Sequence, residues 1–349
     1  MIRGRRTFVT AVAAVAALIA LSVSYIGGSY ADSRAEEVLD RLLGSLPAGY
    51  HVTYESAETS IATDEVIVTG LVVRVDFAEL IAAYGEEIDS MAGDDGGAEK
   101  DDGEEEAAGE DGAGAEDLAE FEDLDLELTL TAERWAIADF DKDNNPPRFM
   151  AQEVSGFDFD IGKLFPGEEM ADIKTLLGGT SVRGDLRLRY HADEATGEVD
   201  IPYYDLVLEN IGAFEFAGKF GGYHVWPNAD NPFAAVANME TLTLHHLSFT
   251  FVDNAFFDRA VALAAKQNGL TAEEIKLQSA MMIAAMVGEM PDPRLKDAAA
   301  ALAAFISDPG SLTLRLAPEK PVNFTAWSDL AETNPTAALD QINFSLTND

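Results

Sequence analysis

The sequence predicts an α+β protein. Its main body is a mainly antiparallel β-sheet laid out as a long, curved meander, with a three-helix block near the C-terminus and one N-terminal transmembrane helix. Three observations carry this expectation. Apolar and polar residues alternate with period two through much of the 349-residue chain, the pattern of strands with one wet face. Between residues 253 and 308 the alternation gives way to helical segments with start and stop signals. Near the amino terminus, residues 8–26 form an almost unbroken apolar run without a charge.

That run explains the first element. Its 19 residues at the helical rise cross about 30 Å of hydrocarbon. Arg3, Arg5 and Arg6 precede it and Asp32, Glu36 and Glu37 follow it, so the positive-inside rule puts the amino terminus in the cytoplasm and the bulk of the chain outside. Residues 1–31 then form a basic stub and an anchor in a bacterial inner membrane, with the rest in the periplasm. The alternative is a signal peptide cut near Ala31, where Ser29-Tyr30-Ala31 offers small residues to a peptidase. Either reading exports residues 32–349.

Residues 32–84 read as a juxtamembrane helix over 34–43 followed by the first strands. The stretch from Glu65 to Val75 is rich in β-branched residues and alternates less strictly, which predicts a strand covered on both faces. Between Glu86 and Glu127 there are 20 acidic residues against the single Lys100. Residues 85–117 cannot bury enough apolar surface to offset ordering entropy, so a disordered acidic insertion is expected there.

The antiparallel region spans 118–252. Leu124, Leu126, Leu128 and Leu130 fall on one face of a strand, with Asp125, Glu127, Thr129 and Thr131 on the other. The same parity recurs at Phe157-Asp158-Phe159-Asp160-Ile161, at Leu186-Arg187-Leu188-Arg189-Tyr190, at Phe214-Glu215-Phe216 and at Leu242-Thr243-Leu244. Residues 182–190 and 198–208 read as neighbours in a meander, joined by the turn at 192–197.

In the helical block, 253–308, Asn254 is placed to cap a helix ending at Asn268-Gly269. Thr271 and Glu274 are spaced as a capping box for a second helix, and Asp292-Pro293 opens a third. Leu295, Ala299, Leu302 and Ile306 share a stripe of that third helix. Residues 309–349 return to strands, beginning with the alternation from Leu312 to Leu316.

Composition limits the chemistry. The chain carries 63 acidic and 23 basic side chains, a formal charge of −40, and no cysteine. Disulfides, thiol nucleophiles and cysteine-held metals are excluded, and phosphate repulsion argues against nucleic-acid binding. The sequence contains no nucleophile elbow, phosphate loop, dinucleotide fingerprint or HExxH pattern, and no catalytic, cofactor-binding or metal-binding residue is assigned. Asp139, Asp141 and Asp143 begin like a calcium loop, but Asn144 and Met150 stand where that loop needs Gly and Glu. His245 and His246 are adjacent in a strand and point to opposite faces.

Two clusters remain. Met281, Met282 and Met286 lie on the nearly all-apolar second helix, which is expected either to be buried or to line an apolar cavity for acyl chains. Arg187 and Arg189 share a strand face that could receive an anion, or could pair across the hairpin with Glu198 and Asp200.

The order of parts, together with Leu247-Ser248-Phe249-Thr250-Phe251-Val252-Asp253-Asn254-Ala255-Phe256-Phe257-Asp258-Arg259 and Phe305-Ile306-Ser307-Asp308-Pro309-Gly310-Ser311-Leu312-Thr313-Leu314, resembles uncharacterised proteobacterial single-span periplasmic envelope proteins. More distantly it is similar to the AsmA-like group. The resemblance implies a long curved sheet and a part in envelope maintenance or lipid handling, and it carries no functional residue. The helical block departs from that pattern. The expected function is a non-enzymatic, membrane-anchored envelope protein that handles phospholipid. The alternative is a periplasmic scaffold that binds envelope proteins and no small molecule.

Overall fold

The computed structural model describes residues 49–60, 65–76, 79, 127–139, 141, 148–162, 169–223, 240–288 and 292–348. The apolar run 8–26, the helix expected at 34–43 and the acidic insertion 85–117 lie outside them. No helix among the described residues is long and apolar enough to cross a membrane.

The described residues form one mainly antiparallel sheet with six helices. Its strands are β1 (Tyr50–Thr53), β2 (Ser56–Ser60), β3 (Glu65–Asp76), β4 (Glu127–Ala138), β5 (Phe149–Asp160), β6 (Ser181–Asp193), β7 (Glu198–Leu208), β8 (Gly212–Gly221), β9 (Thr243–Asp253), β10 (Ser311–Leu316), β11 (Val322–Asn323) and β12 (Phe344–Asn348). From β3 to β10 each strand lies beside its predecessor, a continuous meander, and β12 closes the order beyond β10. The helices are α1 (Glu169–Leu177), α2 (Phe256–Asn268), α3 (Ala272–Gly288), α4 (Pro293–Ser307), α5 (Phe324–Thr333) and α6 (Pro335–Ile342).

The alternation works as expected within each strand, but its parity is reset partway along β3 and β5. In β3 the buried residues are Val66 and Val68, then Leu71, Val73 and Val75. In β5 they are Met150, Gln152 and Val154, then Phe157 and Phe159. The resets fall at Gly70 and Gly156, whose φ angles of 60° and 62° glycine adopts without steric cost. At the second of these the β5–β6 register shifts between Val154 and Phe157, as a β-bulge does. The strand at 65–76 is therefore not covered equally on both faces: it alternates, and the reset at Gly70 hid that alternation.

One face of the sheet carries the core. Trp135, Ile137, Met150, Phe157 and Leu186 are each at most 1 % exposed, and Ile173 of α1 packs with them. Toward the C-terminal strands the same face receives α4: the rings of Phe214 and Phe251 lie 4.9 Å apart, and Phe251 meets Phe305 at 6.1 Å.

The three helices of the block appear in order between β9 and β10. Thr271 and Glu274 exchange the two hydrogen bonds of a capping box, 2.8 and 3.2 Å. Asp292 accepts from the Arg294 amide at 2.9 Å, with Pro293 in the first turn. Asn254 does not cap α2. Instead Ala255 takes the cap position with φ 60°, and Asp253 Oδ1 accepts from the Phe257 amide at 2.9 Å.

Two regions expected to hold only strands also contain helices. α1 interrupts 118–252, with Met170, Ile173 and Leu177 turned to the core. α5 and α6 occupy most of the stretch between β10 and β12. Both were signalled in the sequence: Asn323 accepts from the Ala326 amide at 3.0 Å, and Asn334, followed by Pro335, accepts from Ala337 at 3.2 Å. The Trp327 indole then donates to the Ala338 carbonyl at 3.0 Å, joining the pair.

Candidate functional site

α3 is the element where burial and composition disagree. It has acidic residues only in its first turn, and one of them, Glu274, is engaged by Thr271, whose N–H holds the carboxyl below its usual range. Lys276 turns inward to Asp258 at 2.8 Å and to the Ser307 carbonyl at 3.4 Å, stitching α3 to α2 and α4. From Leu277 to Val287 no charged residue follows. An apolar helix is ordinarily a buried one, yet α3 packs on α2 and α4 as an outer layer. Leu277, Met281 and Met282 are 62 %, 63 % and 60 % exposed.

Met281 and Met282 therefore stand on the outside of the helix block and do not line an enclosed space. Met286 belongs to the same helix, and its side chain lies outside the described residues. Residues 277, 281 and 285 form a single i, i+4, i+8 ridge, with Met282 beside it. Leu270, in the turn before α3, is also exposed. Of the six exposed large apolar side chains among the described residues, four lie on α3 or that turn. Concentration of this kind, against scattered single exposures, makes α3 the candidate contact surface.

The arginine cluster is occupied. Arg187 Nη2 lies 2.9 Å from Asp205 Oδ2 and its guanidinium sits 5.3 Å from the centre of the Tyr203 ring. Arg189 pairs with Asp139, and Arg183 pairs with Asp158 at 2.6 Å. Only Arg187 pairs across the β6–β7 hairpin, and with Asp205 in place of Glu198 or Asp200; Arg183 reaches back to β5 and Arg189 to Asp139, just after β4. The β6–β7 register sets Arg187 opposite Asp205 and Arg189 opposite Tyr203, while Asp200 faces His191 after a shift. Glu198 instead holds Lys219 at 2.7 Å. An incoming anion would have to displace carboxylates from both Arg187 and Arg189.

The remaining candidates are dispersed. Asp139 is engaged by Arg189, and Asp141, buried, accepts from the Arg148 amide at 3.1 Å. Those two carboxylates serve different partners. His191 stacks on Phe149 with ring centres 6.0 Å apart, and His51 reaches Glu79 at 3.2 Å. His245 is half-buried and its neighbour His246 exposed, as opposite faces require. Among the described residues no group of three or more acidic or histidine side chains is placed to hold a metal ion.

Two open depressions mark the surface. One, about 570 Å³, crosses the wet face of β3–β6 where the parity resets fall, with Glu55 lying over Gly70 and Glu133 over Gly156. Asp185 Oδ1 there accepts from the Gly156 amide at 2.9 Å. The other, about 630 Å³, lies between α4, α5 and α6 and includes Arg294, Lys320 and Asp340. Arg294 is held by Asp292 at 2.6 Å and Asp340 at 2.8 Å. Its hydrogen bond lowers the Asp292 carboxyl below the usual carboxylate range.

A family model described as an uncharacterized protein matches residues 205–349. That stretch begins in β7 and takes in all of α3, whereas Arg187 and Arg189 lie before it. No curated protein matches the chain.

Proposed function

We propose that this chain is an envelope protein held in a bacterial inner membrane by residues 8–26, with its sheet and helices on the periplasmic side, where it acts as a binding or scaffolding module and not as an enzyme. The observation that carries the reading is the exposed Leu277–Met281–Met282 ridge. It is an apolar contact surface on a chain of net charge −40, where an acidic face would ordinarily suffice for solubility. The charged candidates support the same reading, because the arginines and the carboxylates facing them are spent on holding strands together.

The test is extraction of membranes at alkaline pH, followed by an intact mass of the retained chain. Retention at full mass is the expected result. Release into the wash, or a mass corresponding to cleavage near Ala31, overturns the anchored form.

A further inference from the structure

The ridge on α3 needs an occupant, and three features of the chain select one. The first is size. A stable protein partner, a second copy included, buries roughly 20–30 residues a side, whereas the ridge offers Leu277, Met281 and Met282, with Leu270 beside them. The second is charge. Another copy would bring a further −40 against the first, and α3 carries no basic residue in its last turn to favour an anionic surface. The third is reach, and it rests on the anchoring proposed above. Residues 27–48 span up to about 55 Å even with 34–43 helical. The ten-strand path from β1 to β12 is about 43 Å wide at the usual strand spacing.

We propose that α3 rests on the surface of the bilayer entered by residues 8–26, against its zwitterionic headgroups, so that the sheet lies along the membrane with its helix layer toward the lipid and its wet face toward the periplasm. Leu277, Met281 and Met282 enter the boundary between headgroups and acyl chains, the depth at which interfacial helices bury their apolar face. Flexible thioethers suit a disordered solvent of this kind. The ridge is too small to bind lipid firmly by itself, and the tether supplies the effective concentration that makes a weak contact persist. The opposite face stays in water: Val207, on the wet side of β7, marks it with 46 % exposure.

The chain has no native cysteine, so single reporters are clean. Full-length Met281→Cys and Val207→Cys, each carrying a nitroxide, are placed one chain to a phosphatidylcholine nanodisc and probed with oxygen and a water-soluble nickel complex. The nitroxide at 281 is expected to favour oxygen several-fold over the one at 207. In a third variant, Ala285→Cys with Leu277→Glu and Met282→Glu, that preference should fall several-fold relative to Ala285→Cys alone, with the circular dichroism unchanged. Equal nickel access at 281 and 207 overturns the docking while leaving the anchor standing. Loss of the whole chain from the lipid in an alkaline wash overturns the anchor and the docking together.

Discussion

The Trp135 indole N–H donates to the Gln152 side-chain oxygen at 3.1 Å inside the core, on adjacent strands β4 and β5. Trp135 is 1 % and Gln152 4 % exposed, so each satisfies a group that would otherwise be stranded away from water. Replacing Gln152 by Leu leaves the indole donor unpaired and should cost about 1–3 kcal/mol. The double variant Trp135→Phe, Gln152→Leu should cost less than the sum of the two single changes, because it removes both partners. Urea unfolding of the four proteins checks this, and strict additivity would contradict the coupling.

At Gly184 there is no room for a side chain between β6 and β7. A Cβ at this position would lie 1.9 Å from the Val207 carbonyl oxygen and 3.1 Å from the Phe157 ring. Gly184→Ala should therefore destabilise the sheet by about 1–3 kcal/mol or more, in the range of overpacked cores. A variant as stable as the parent would mean that β6 and β7 are spaced differently.

The helix block should weaken in acid through Asp292. Its folded carboxyl is lowered by Arg294, so its contribution is present above the unfolded value of about 3.9 and is lost as pH falls through the still lower folded value. The stability gap between the parent and Asp292→Asn should be full at neutral pH and close below about pH 4. Denaturant midpoints across that range read the gap directly. Closure on raising the pH would contradict the assignment.

Methionines of a buried helix would not tolerate charge. Met281→Glu and Met282→Glu, at 63 % and 60 % exposure, should each change stability by no more than about 0.5 kcal/mol. Loss of several degrees in melting temperature on either change would return α3 to the core.

Local patterning made the meander legible, since alternation at 128–130, 157–161 and 186–190 names the buried face directly. Capping chemistry at Thr271 and Asp292 likewise placed two helix starts. Long-range geometry stayed hidden. The parity reset at Gly156 falls at a register shift between β5 and β6, and the partner of Arg187 depends on a β6–β7 register that shifts before His191. α5 and α6 were signalled by Asn323 and Asn334-Pro335, but the alternation at 312–316 dominated that region. The exposure of α3 could not be read from its apolar composition, because α4 packs on β12 and β10 and α2 on α1, and α3 lies outside both helices.

The most direct test of the ridge as a membrane-facing surface is made in cells. Met281→Cys and Val207→Cys, in the full chain, are exposed to a membrane-impermeant maleimide after the outer membrane alone is opened. Val207→Cys should react at once, and Met281→Cys should stay protected until detergent dissolves the inner membrane. Equal reaction of both before detergent would leave the ridge bare. Reaction of neither until the inner membrane is breached would put the domain on the other side.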